Sequence, residues 1–73
     1  MKHINHLVFT SVQDAKSTLE CTLRLSPQQA LDDAKAVLVA MDAFLYNQPS
    51  RRKMLRSIIS KANKALKAQQ GAQ

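Results

Sequence analysis

The sequence predicts an α+β chain, mostly helical, with one or two N-terminal β-strands, then two antiparallel α-helices, and two copies joined as an obligate dimer. Three observations predict it. Residues Thr18 to Leu25 alternate strictly between polar and apolar, the period of a strand with one buried face. Ser26-Pro27-Gln28-Gln29 is a helix-start signature, and Pro49 opens a second, amphipathic helical stretch. The predicted organisation is an N-terminal arm or extra strand over residues 1–17, a strand-helix-helix unit over 18–68 and a flexible tail over 69–73.

In the alternating segment, Leu19, Cys21, Leu23 and Leu25 share one face, assigned to the core, while Thr18, Glu20, Thr22 and Arg24 share the other. Upstream, residues 4–12 (INHLVFTSV) are rich in β-branched and aromatic types. They suit a second strand, with Gln13 to Ser17 as its connection. Without that strand, residues 1–16 are a mobile arm.

Ser26 caps the first helix, Pro27 takes the first helical position, where no amide donor is needed, and Gln29 is the third residue of a capping box. Asp32 and Asp33 follow in the early turns, where the helix dipole favours negative charge. Leu31, Ala34, Leu38, Met41 and Leu45 then recur at helical spacing. Between Ala36 and Tyr46 only Asp42 is charged, so Val37, Val39, Met41 and Phe44 point in several directions. A helix apolar on more than one side must be covered on more than one side. A chain of 73 residues buries only about 60% of its unfolded surface. With Cys21 its sole cysteine, it has no internal disulfide to compensate. A second copy is the expected cover.

Pro49 disfavours helical geometry at Gln48, so the first helix ends there or just before, with Asn47 in the turn. The second helix runs from Pro49 or Ser50 to about Ala68. Its Met54, Leu55, Ile58, Ile59, Ala62, Ala65 and Leu66 form one stripe at about 100° per residue, with Arg52, Lys53, Arg56, Lys64 and Lys67 opposite. Core or dimer contacts are accordingly assigned to Leu23, Leu25, Leu31, Leu38, Met41, Phe44 and Leu45 of the first two elements. Leu55, Ile58 and Ile59 serve in the second helix.

Charge carries the functional signal. Residues 1–49 hold Lys2, Lys16, Arg24 and Lys35 against Asp14, Glu20, Asp32, Asp33 and Asp42, a net −1. Residues 50–73 hold Arg51, Arg52, Lys53, Arg56, Lys61, Lys64 and Lys67 with no acid, a net +7, which gives the +6 of the whole. A localised positive surface attracts a polyanion, most commonly nucleic acid; the plainer alternative is a solvated face that keeps the chain soluble. Cations at the start of a helix oppose its dipole. Ser50, Arg51, Arg52, Lys53 and Arg56 therefore make sense as phosphate ligands beside unpaired backbone N–H groups, or as side chains turned into water. Glu20, Thr22 and Arg24 suit base edges if a two-stranded ribbon enters the major groove, or are ordinary polar residues of a half-exposed strand.

The stretch CTLRLSPQQALDDAKAVL, a turn, and then PSRRKMLRSIISKANKAL resembles the ribbon-helix-helix family of DNA-binding proteins over about residues 19–67. Thr22-Leu23-Arg24-Leu25-Ser26-Pro27 is similar to that family's strand end and helix start, and Ser50-Arg51-Arg52 to its second-helix start. The resemblance implies strands paired between two chains, with Glu20, Thr22 and Arg24 reading bases and Ser50, Arg51 and Arg52 holding flanking phosphates. The chain departs from that family in a first helix about a turn longer, an inter-helix turn without glycine and 17 residues ahead of the strand.

Enzymatic signatures are lacking, and no cofactor is expected. His3 and His6 have no Cys, Asp or Glu beside them at metal-ligand spacing. The only glycine, Gly71, makes no phosphate loop, and Asp32-Asp33 diverge by about 100° on a helix, which suits dipole partners better than a catalytic dyad. No apolar run is long enough for a signal peptide or membrane span, so a cytoplasmic protein is expected. The functional expectation is a small dimeric DNA-binding protein, a repressor or plasmid- or phage-type accessory regulator with double-stranded DNA and a second copy as partners. The alternative is a helical-hairpin inhibitor or adaptor that meets another protein through its apolar helix and basic flank. Attachment of Arg51 to Lys67 to anionic lipid ranks last, because Met54, Leu55, Ile58 and Ile59 are more useful inside the fold.

Overall fold

Two patterns compete over residues 12–25. The alternation described above covers eight residues, but Val12, Ala15, Leu19 and Leu23 also recur at steps of three and four, the spacing of a helix face. In a computed structural model describing residues 2–44 and 48–71, the second pattern wins: Val12–Leu25 is helical, and the described residues contain no strand. The described residues form four helices, α1 (Lys2–Phe9), α2 (Val12–Leu25), α3 (Pro27–Ala43) and α4 (Pro49–Gly71). The expected α+β architecture is thereby corrected to an all-helical one among those residues.

Local chemistry at both ends favours α2 as a helix. Ser11, with extended backbone (φ −62°, ψ 152°), caps its start by accepting a hydrogen bond from the Asp14 amide at 3.1 Å, and the Asp14 carboxylate stands in the first turn, where the dipole favours it. At the other end the Ser26 N–H donates to the Thr22 carbonyl at 2.7 Å. Ala15 and Leu19 are fully buried, with Val12 and Leu23 packed against the core. Cys21 is exposed and Leu25 is 83% exposed, so half of the supposed core face of a strand points into water. Gln13 to Ser17, expected as a connection, lies inside the helix.

Residues 4–12 are likewise not a strand. Ile4, Leu7 and Val8, spaced three and four apart, are the buried side of α1, so this segment belongs to the core rather than to a separate arm. The break between α1 and α2 falls at Thr10-Ser11.

The start of α3 is as the sequence predicts: the Ser26 hydroxyl accepts from the Gln29 amide at 3.3 Å, and Pro27 opens the helix. The Gln29 side chain departs from the capping-box role, donating instead to Asp33 one turn on at 2.7 Å; Gln28 does the same to Asp32 at 3.0 Å. The helix ends at Ala43 with Phe44 as its cap, a few residues earlier than expected. Leu45, Tyr46 and Asn47, including the proposed turn residue, lie outside the described residues. Pro49 opens α4, which continues through Gly71, beyond the Ala68 end expected and into the stretch assigned to a loose tail.

α3 packs against α1, α2 and α4. Ala30, Ala34, Val37 and Met41 are fully enclosed, and Leu31 is buried. Leu55, Ile58 and Ala62 close the core from α4, while Leu38 and Ile59 pack partly buried against it. The cover that seemed to require a second chain is supplied by α1 and α2. Phe44, assigned to core or dimer contact, is 52% exposed and lies against Phe9 with ring centroids 5.6 Å apart. Val39 is also exposed.

Candidate nucleic-acid interface

On α4 the core-facing side runs through Met54, Leu55, Ile58 and Ala62. Side chains at steps of three, eleven and fourteen from Lys53 fall on the opposite side of a helix with about 3.6 residues per turn. Lys53, Arg56, Lys64 and Lys67 occupy that side and are all exposed. No acid occurs between Pro49 and Gly71, so nothing on the helix itself neutralises the row.

The expected phosphate ligands divide into three groups. Ser50, Lys53 and Arg56 are exposed. Arg52 is half-buried and paired to Asp42 at 2.5 Å, so α3 already supplies it with an anion. Arg51 is 2% exposed and committed inside the fold. Its Nε donates to Gln48 Oε1 at 2.9 Å and one terminal nitrogen donates to the Leu7 carbonyl at 2.7 Å. The other terminal nitrogen donates to the Thr10 carbonyl. These carbonyls mark the C-terminal end of α1, where the last oxygens of a helix lack partners and the dipole is negative. What completes this guanidinium is no anion but the partially negative end of another helix.

Glu20, Thr22 and Arg24 share a face only on a strand. On α2 each step of two turns about 200°, which sets Thr22 apart from the other two. The Thr22 hydroxyl donates to the Thr18 carbonyl at 3.0 Å, Glu20 accepts from Lys61 at 3.5 Å, and Arg24 is exposed. The structure does not bring the three together as a base-reading surface.

It brings together a group that the sequence did not single out. A groove of about 350 Å³ runs between α2 and α4. Val12, Met54 and Ile58 contribute its apolar part, and the ammonium groups of Lys16, Lys53 and Lys61 its charge, with Gln13, Ser50 and Ser57 adding amide and hydroxyl groups. No carboxylate lines it. A smaller cavity of about 280 Å³ shares Val12 and Ser50 and adds Gln48 and Pro49 at the start of α4. The available signal was the spacing of Ser50, Lys53, Ser57 and Lys61 along one edge of α4, but its partner edge exists only once Val12, Gln13 and Lys16 are on a helix.

Among the described residues no three His, Cys, Asp or Glu side chains are grouped to hold a metal ion, and no helix is long and apolar enough to cross a membrane. His6 is exposed; the side chain of His3 lies outside the described residues. Comparison of the chain with protein-family models, with curated proteins and with solved structures finds no match.

Proposed function

We propose that this chain binds double-stranded DNA through the outer row of α4, by phosphate contact and with tolerance of sequence. The observation that carries this is the row Lys53, Arg56, Lys64 and Lys67, exposed and unopposed by any acid of α4. Fourteen residues of helix span about 21 Å, and one DNA strand places a phosphate about every 3.4 Å along its axis, so the row is long enough to follow several phosphates. Contacts of this kind hold and orient a duplex without reading it. With Glu20, Thr22 and Arg24 dispersed, nothing comparable supports base-specific repression.

The protein-partner alternative loses most of its motive, since the apolar helix that would dock is α3 and its Ala34, Val37 and Met41 are enclosed by the chain itself. Lipid attachment suffers likewise: Met54, Leu55 and Ile58 of α4 are buried.

Fluorescence anisotropy on a labelled duplex tests the proposal. Four neutralised phosphates give a log–log salt slope of roughly −3.6 and about a hundredfold loss of affinity between about 50 and 200 mM salt. Arg56→Ala and Lys67→Ala each reduce the slope by roughly 0.9 and weaken unrelated duplexes alike. A response flat in salt, or variants that bind as the parent does, would overturn it.

A further inference from the structure

We infer that the groove between α2 and α4 is a second site, adjoining the outer row at Lys53, which binds a nucleotide unit: a phosphate on its lysines and a base against its apolar floor. The groove's about 350 Å³ falls at the small end of the roughly 300–1,000 Å³ typical of small-ligand sites. Its composition is that of a site for an amphipathic anion. Three ammonium groups come from two helices, Lys16 from α2 and Lys53 and Lys61 from α4, and no carboxylate lines the space. Lys61 is shared with Glu20, half-exposed at 3.5 Å, whereas Lys16 and Lys53 pair with no carboxylate among the described residues.

The remainder of the lining selects among anions. Hydroxyls of Ser50 and Ser57 donate to phosphate oxygens. The apolar floor of the groove is half-buried Val12 with the edge of Met54, 8% exposed, while Ile58 lies beneath it at 1%; a bare inorganic anion leaves that floor wet, whereas the flat face of a base covers it, and the thioether edge of Met54 adds a favourable sulfur–ring contact. A free mononucleotide and a nucleotide splayed from a single strand present the same chemistry. The site shares Lys53 with the outer row of α4 and differs from it otherwise: Lys16, Ser50, Ser57 and Met54 take no part in the row, and Arg56, Lys64 and Lys67 take no part in the groove.

Amide chemical shifts of the ¹⁵N-labelled full chain provide the test, with adenosine monophosphate, inorganic phosphate and a short single strand titrated separately. The expected result is movement of Val12, Gln13, Lys16 and Ser57 on adding the mononucleotide, with inorganic phosphate binding at least tenfold more weakly. Lys16→Ala lowers mononucleotide affinity about tenfold and leaves duplex affinity nearly unchanged, while Arg56→Ala does the reverse. A strand that moves the same residues at lower concentration identifies a strand as the source; a weaker strand identifies the free nucleotide. Absence of shifts in the groove, equal binding of inorganic phosphate, or a Lys16→Ala protein that binds the mononucleotide as the parent does overturns the site. Failure of the Arg56→Ala duplex result alone overturns the outer row and leaves the groove standing.

Discussion

Arg51 and Arg52 are adjacent and chemically identical, yet the fold gives them opposite roles. A buried guanidinium is tolerable only if its donors are satisfied, and those of Arg51 reach Gln48 and the carbonyls of Leu7 and Thr10. Removing it leaves oxygens at the end of α1 without a partner and detaches that helix from α4. Each unsatisfied buried polar group costs about 1–3 kcal/mol, so Arg51→Ala should lower unfolding stability by about 2–4 kcal/mol in urea titrations. Arg51→Lys should recover only part of this, because one ammonium point charge cannot reproduce a planar fork that spans separate acceptors. Arg52 sits in a partly exposed pair with Asp42, and Arg52→Ala should cost no more than about 1 kcal/mol. Equal losses at the two positions would contradict the assignment.

At the scale of the element, α2 gives the sharpest contrast between what is local and what is not. Leu19 and Leu25 would share one core face on a strand; on α2, Leu19 is fully buried and Leu25 is 83% exposed. Leu19→Ala should therefore cost about 2–5 kcal/mol and Leu25→Ala within about 0.5 kcal/mol, measured by the same urea titrations. Cys21, on that supposed core face but exposed, should react with a thiol reagent in the native state at close to the rate of the unfolded chain. What the sequence made legible was local: the Ser26-Pro27 start of α3, the Pro49 start of α4 and the apolar stripe from Met54 to Ala62. Each rests on caps, proline geometry or a long period. α2 was obscured because Leu19 and Leu23 belong to both periods, and the shorter pattern masked Val12 and Ala15. α1 was obscured because eight residues are too few for a helix to declare itself, and its stability comes from Ile4, Leu7 and Val8 packing on the rest of the core. The groove depends on both misread segments lying helical beside α4, whereas the row on α4 needed only α4.

For the whole molecule, the question raised by 73 residues was whether one chain can cover its own core. With α1 and α2 helical, α3 is packed by α1, α2 and α4, and buried side chains come from all four helices. The long dimension, 41 Å against 20 and 16 Å, accommodates α4, whose 23 residues extend about 34 Å and carry the basic row. The large apolar side chains left outside are Phe9, Leu25, Val39 and Phe44 among the described residues, of which Phe9 and Phe44 form an aromatic pair. If the core that closes within one chain suffices for folding, the thermal midpoint should not change with protein concentration. An obligate dimer behaves differently, because mass action raises its midpoint as concentration rises. Scanning calorimetry over about a hundredfold range of concentration, with sedimentation at the same concentrations, separates the two. A midpoint that climbs with concentration would mean that Phe9, Val39 or Phe44 is covered by a second copy in the folded state, and that the folding unit is larger than the chain.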